Sequence, residues 1–388
     1  MTHTRDPLRL VFGVWAGSFV GLIPGTLAAF LVGGLIADRG FDPIDAGILG
    51  SGEMIVLAVA STLLAPYMIR LPVVPISVAG GLLTGLAHLV SALLTSFWPL
   101  LALRVLAGAG EGLMLAAAAA TAARTQDPDR VYGIGFATSM GMMIVLSPLL
   151  GAVIGAYGML GGYTVVGVIY LALTPLSLWL RLAPRPKTST TSALRPLPRR
   201  QLALVMIVMV CFGIGPAPTF AFLERVASEI GIGTARVGEI FSMSFAFGLA
   251  TALLTGWLGP RWGRTIPTAV ALAALGTFSL VLVKVGGEAA FAGALLIYMG
   301  WYLVVQVAWF AAVAAFDPTG RVAPAASGCF MLTLGLGPLV GGLLVTAGSY
   351  TTTGWFALTV CGTGALLLVT AGRFLDRLEV PNQVEPST

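Results

Sequence analysis

Residues 97–130 read FWPLLALRVLAGAGEGLMLAAAAATAARTQDPDR, an apolar run of membrane-crossing length with an arginine and a glutamate inside it. Arg104 and Glu111 are seven residues apart, so at about 100° per residue they lie two turns apart on one helix face, with Gly108 between them. Such a face cannot look at lipid. A centrally placed charge costs about 2.5 to 3.5 kcal/mol on insertion scales, so residues of this kind turn to a protein interior or a watery cavity and mark a pathway. The stretch reads as one helix of a polytopic membrane protein, lining the route of a transported solute.

Composition agrees. Of 388 residues, 57% are hydrophobic, only 10% are charged and 50 are glycine, which places the chain among helical membrane proteins and leaves no room for a soluble domain. Cys211, Cys329 and Cys361 all fall in apolar runs, so they read as packing residues and not as a disulfide framework or a metal site. The sequence pI near 9.4 does not point to nucleic acid, because the basic residues are spread between the spans. Enzyme chemistry lacks its parts: the histidines are His3 and His88, and there is no H-E-x-x-H, no Gly-x-Ser-x-Gly, no Walker glycine loop and no pair of intramembrane aspartates. No cofactor and no metal are expected.

Outward from span four, a short basic tail precedes a first span from Leu10 to about Ile36, interrupted at Pro24-Gly25 and too long for a cleaved signal. Spans follow at about 46–67, 73–94, 98–123, 131–155 and 164–180, each near the ~20 residues a crossing needs. Residues 181–200, RLAPRPKTSTTSALRPLPRR, turn to Pro, Ser, Thr and Arg with no acid and read as a mobile cytoplasmic linker. Six more spans at about 202–223, 236–258, 266–285, 289–315, 325–347 and 353–371 make twelve. The domains expected are a six-helix bundle over 1–180, the linker 181–200, and a second bundle with a short tail over 201–388. Sixteen of the 21 Lys and Arg fall on the side of the termini, and Arg39, Arg225, Arg236 and Lys284 on the other. The positive-inside rule then puts both termini in the cytoplasm, with the protein in the cell's inner membrane.

The halves repeat at an offset of about 190 residues. Asp127-Pro128 and Arg130 answer Asp317-Pro318 and Arg321, Ser147-Pro148 answers Gly337-Pro338, Pro24 answers Pro216, and Arg70 answers Arg261. Parallel six-span repeats related by an axis along the membrane normal hold substrate near the midplane between them.

The run R-x-x-x-G-x-G-E-G, formed by Arg104, Gly108, Gly110, Glu111 and Gly112, resembles the major facilitator superfamily, and its Gly-Glu-Gly ending is similar to that of organic-anion symporters and sphingolipid-carrier relatives. Gly337-Pro338-Leu339-Val340-Gly341-Gly342 resembles the superfamily's G-P-x-x-G-G element; the usual Gly-x-x-x-Asp loop after span two is absent. The resemblance implies an all-α fold of twelve transmembrane helices as two six-helix bundles and alternating access for a secondary transporter. An organic anion or an amphipathic metabolite, probed as proton-coupled uptake or as drug efflux, suits it; a solute sensor that does not transport is the competing class, separated by counterflow.

Candidate pathway residues follow from the same reading. Arg104 and Glu111 are either a structural ion pair or a coupling site, and Glu53, two turns into span two, is a second acid that can be deep or shallow and solvated. In the repeat Arg104 answers Ala294 and Glu111 answers Trp301, so the second half is expected to offer Trp301, Gln306 and Trp309 as an aromatic, hydrogen-bonding wall. Pro24, Gly25, Pro216 and Pro218 in the first span of each half, with Pro148, Gly337 and Pro338 in spans five and eleven, are expected hinges. His88 shows no acidic partner along the sequence, and Glu224-Arg225 reads as a surface pair. The partners expected are a small organic solute, protons and the lipid bilayer, with no nucleic acid, for a monomer.

Overall fold

A computed structural model describes residues 8–182, 198–315 and 322–372, apart from 69, 126, 260 and 262. Residues 183–197 of the linker expected over 181–200, the C-terminal tail beyond 372 and Asp317-Pro318 with Arg321 lie outside the described residues. The first crossing is split into α1 (Leu8–Val20) and α2 (Ile23–Ala37), and α3 (Pro43–Leu64), α4 (Val73–Leu93) and α5 (Phe97–Ala122) follow as single crossings. Then comes α6 (Pro128–Leu173), whose 46 residues would reach about 69 Å if straight, more than twice the hydrocarbon core.

It is two crossings. Gly158 has φ 59°, a conformation glycine takes without strain, and the chain folds back there. A Cβ added to Gly162 would meet the Ile154 side chain at 2.8 Å, whereas eight residues of straight helix span about 12 Å. The Asp38 carboxylate accepts from the Met159 N–H at 2.9 Å and caps the second arm, and Arg39 donates to the Ala92 and Leu94 carbonyls at the end of α4 at 2.6 and 2.5 Å.

After a 3-10 turn at Thr174–Trp179, the seventh crossing runs in three pieces, α7 (Arg199–Ile214), α8 (Ala217–Ala221) and α9 (Leu223–Glu229). Single crossings α10 (Thr234–Leu258), α11 (Thr265–Leu282) and α12 (Glu288–Ala315) follow, then a split eleventh, α13 (Val322–Gly335) with α14 (Gly337–Ala347), and α15 (Tyr350–Ala371). Eleven stretches are long and apolar enough to cross a membrane, and the one containing the Gly158 fold crosses twice. The result is an all-α membrane fold of twelve crossings in two six-helix bundles. An even number brings both ends of the described chain to one side, the near side, opposite the far side.

The helices are interrupted beside the expected hinges, at 21–22, 215–216 and 336, so that Pro24-Gly25, Pro218, Gly337 and Pro338 fall in the first turns of the helices that follow and Pro216 in the interruption itself. Pro24 is the second residue of α2 and Pro338 of α14, first-turn positions where the missing N–H has no helical partner to lose. Pro148 is a correction: within α6 the dihedrals leave the helical region at Gly158, and the helix runs through Pro148 unbroken. Its effect falls on a hydrogen bond. Lacking N–H, Pro148 frees the Ile144 carbonyl, and the Ser242 hydroxyl of α10 donates to that carbonyl at 2.6 Å. In the other pair of facing helices, the Leu339 N–H, an orphan in the first turn of α14, donates to Ser51 Oγ of α3 at 2.9 Å. Both bonds cross between the bundles.

Close backbone approach surrounds them. A Cβ on Gly238 would lie 2.6 Å from the Ser147 carbonyl oxygen, and one on Gly151 would lie 2.7 Å from that of Thr234. Farther out, Glu224 is buried, which overturns its reading as a surface residue: one carboxyl oxygen accepts from the Thr234 hydroxyl at 2.8 Å and the other abuts Gly33 of α2.

Candidate functional site

Four crossings of the first bundle converge on a sealed polar cluster. Glycines set the approach: Gly108 of α5 packs on the Glu53 backbone of α3, and a Cβ on Gly110 would lie 2.5 Å from the Gly80 carbonyl oxygen of α4. The glycines of the span-four run thus bring three helices to backbone contact. Into that contact point Glu53 from α3, His88 and Ser91 from α4, Arg104 and Glu111 from α5, and Tyr163 and Tyr170 from the second arm of α6. All seven are buried.

Donors and acceptors can be assigned through most of the cluster. The Thr84 carbonyl can only accept, so His88 Nδ1, at 3.0 Å, carries the ring hydrogen. His88 Nε2 is then an acceptor and takes a hydrogen from Arg104 Nη1 at 3.0 Å; the other Nη1 hydrogen goes to Glu53 Oε2, also at 3.0 Å. Arg104 Nη2 donates to Ser91 Oγ at 2.7 Å, and Ser91 donates to the Ala87 carbonyl at 2.6 Å. The guanidinium lies 4.6 Å from the Tyr163 ring centroid, a cation–π contact. Glu111 is held separately, by the Tyr170 hydroxyl donating to its Oε1.

What remains is specific. Glu53 Oε1, 3.3 Å from His88 Nε2, and Glu111 Oε2 are buried oxygens without a hydrogen-bond donor among the described residues. Donor atoms of Glu53, His88 and Glu111 lie within 4.8 Å of one another. Such a trio can ligate a cation, but Arg104 Nη1 already bonds two of the three and holds a fixed positive charge among them. The cluster therefore has one permanent cation, two carboxyls and a histidine whose bonds are those of the neutral ring.

A second feature lies between the bundles, a cavity of about 80 Å³. The three interrupted crossings meet there, through Gly21, Pro24 and Gly25 of the first, Ala217 and Phe220 of the seventh, and Leu334 of the eleventh. Met54 and Leu57 of α3 face it, as do Tyr298, Tyr302 and Gln306 of α12.

Several expected placements change. Arg104 and Glu111 share a buried face as their spacing implied, but α5 does not line the cavity, and Arg104 is bonded to Glu53. Glu53 is 2% exposed, so it is deep and not solvated. Gln306 lines the cavity; Trp301 and Trp309 do not. At about 100° per residue the face carrying Tyr298, Tyr302 and Gln306 leaves Trp301 some 100° away, and Trp309 sits nearly a turn beyond Gln306, fully buried in the core. The aromatic side chains that α12 gives to the cavity are tyrosines, and Phe136, Phe220, Phe245 and Phe330 join them from other crossings. His88, Tyr163 and Tyr170 were missed as partners. The signal for the first was a lone ionisable group in an apolar span, which needs an opposite number; for the tyrosines it was their seven-residue spacing on one face.

Residues 14–328 match the family model described as Major Facilitator Superfamily. No curated protein matches the chain. Among solved structures, the chain is similar to the nucleoside transporter NupG, at 15% identity and TM-score 0.65, covering 96% of this chain and 100% of that one. It is similar to the peptide transporter POT, at 14% identity and TM-score 0.70, covering 96% and 95%. A bacterial homolog to the human lysosomal transporter Spinster, in an inward-facing and unoccupied conformation, is similar at 14% identity and TM-score 0.69, covering 96% and 97%.

Proposed function

The chain belongs to the major facilitator superfamily, and from that premise we propose that it is a proton-coupled secondary transporter carrying a small organic solute through the central cavity, with the coupling proton held by the Glu53–Glu111 pair. One observation carries this reading: among the described residues a single guanidinium is sealed with two carboxyls, and each carboxyl retains a buried oxygen to which no other residue donates. With a neutral His88 the cluster is electrically balanced when it holds one proton, and an unbalanced charge in a sealed site is costly. Loss of that proton must then be met by movement of the guanidinium or by entry of water.

The element that would feel the change is α3. It carries Glu53 toward Arg104, Ser51 and Gly47 toward α14, and Met54 and Leu57 toward the cavity. Proton, seam and solute thus act on one helix, which is the physical link that coupling needs. The uncharged cavity lining supports an amphipathic compound over an organic anion as the solute. The protein sits in the inner membrane as a monomer with its termini in the cytoplasm, supported by the Lys and Arg distribution for orientation.

The test is Glu111→Gln in proteoliposomes, which should keep counterflow exchange and lose proton-driven accumulation by about tenfold or more, since only the driven step needs the titrating group. A variant that still concentrates solute on a pH gradient alone shows that Glu111 is not the coupling acid.

A further inference from the structure

We infer that the solute is an uncharged molecule with an aromatic or other flat apolar body and a single hydrogen-bonding end; this deepens the transporter reading above and rests on it. Among the described residues that line the central cavity, none is Asp, Glu, Lys, Arg or His. The neighbouring charges are turned away. Met54 and Leu57 present α3 to the cavity while Glu53, next to Met54, bonds Arg104 inside the first bundle. Arg104 itself has its Nη atoms engaged by Glu53, His88 and Ser91, so the guanidinium that a carboxylate solute would seek is absent from the cavity surface. An ionised solute entering here would lose hydration without gaining a counter-charge.

The lining has a positive character too. Phe220, Tyr298 and Tyr302 form a run of near-parallel rings, with centroids 6.4 and 6.5 Å apart at interplanar angles of 12° and 24°. Met54, Met140, Met299 and Met331 supply unbranched thioethers that adapt to the outline of a flat ligand. Polar capacity is sparse. The Thr26 hydroxyl donates to the Leu22 carbonyl at 2.7 Å, and the Tyr298 hydroxyl is directed at the Pro216 carbonyl at 3.5 Å. Gln306 contributes the lining's carboxamide, able to donate and accept at once, and, with the Tyr302 hydroxyl one turn away, is the group fitted to one amide or carbonyl on the solute.

The experiment uses the full chain in lipid nanodiscs and three probes sharing one ring: benzamide, benzoate and benzyltrimethylammonium. Binding is measured by calorimetry, and counterflow of labelled benzamide is measured in proteoliposomes. The expected result is that benzamide binds at least about tenfold more tightly than either ion, and that Gln306→Leu weakens it about fivefold, the loss of one hydrogen bond. Gln306→Glu, which keeps the shape, should bind benzamide more weakly as well and gain affinity for the ammonium probe. Equal or tighter binding of benzoate or benzyltrimethylammonium to the native protein overturns the assignment, as does failure of all three to bind a protein that still unfolds cooperatively. Preferential benzamide binding without counterflow leaves this inference standing and removes the transport reading instead.

Discussion

Arg104 is the residue on which the first bundle depends, because it is the cation for Glu53 and the donor to His88 and Ser91 at once. Arg104→Ala should leave Glu53 as a buried charge without its partner, at a cost of about 3 to 5 kcal/mol, seen as a fall in thermal unfolding temperature in detergent. Adding Glu53→Gln should recover most of that loss, while adding Glu111→Gln should not. The opposite pattern would return Arg104 to Glu111. That choice was not legible in the sequence. Spacing on one helix showed that Arg104 and Glu111 share a face, but Glu53 is 51 positions away from Arg104 and His88 is 16, and period alone does not say which helices meet. Lone ionisable groups in apolar spans could each be flagged; their pairing needed the tertiary contact.

The elements that face each other between the bundles, and that would part in the proposed cycle, are the pairs α3 with α14 and α6 with α10. Proline content made a break in span eleven legible, since Pro338 opens α14, and made Pro148 look alike, although α6 passes through it. The difference lies in where the freed backbone group finds a partner, and for Pro148 that partner is Ser242 on the other bundle. Ser51→Ala and Ser242→Ala should each weaken the seam by about 1 kcal/mol and shift the population toward the far-side-open form roughly fivefold. Spin-label distances between the far-side ends of α3 and α14 would report it. Gly238→Ala should act more strongly, because its Cβ would lie 2.6 Å from the Ser147 carbonyl oxygen when the seam is closed. Unchanged distance distributions in all three variants would show that the seam is held elsewhere.

At the scale of the whole molecule, the twelve crossings and the halving of the chain were readable from apolar run length and repeated punctuation. The fold at Gly158 fell within a predicted connection, and the identity of the cavity wall was not readable, because Trp301 and Tyr298 differ only in which side of α12 they occupy. An uncharged solute moving with or against one proton carries one unit of charge per cycle. A membrane potential of 100 mV, worth about 2.3 kcal/mol per charge, should therefore drive roughly 50-fold accumulation in proteoliposomes with equal pH on both sides. Accumulation that follows the pH difference but ignores the potential would mean the solute carries a compensating charge. The crossed bonds also make the interface its own complement: the first bundle lends Ser51 and the Pro148 helix, the second lends Ser242 and the Pro338 helix, and a half-turn exchanges one pair for the other. If the bundles rock apart symmetrically, as the transporter reading proposes, both bonds would lengthen together, leaving no ajar position that keeps one of them whole. On that reading the gate would be either shut or open, because a population caught in between would have nothing to rest on.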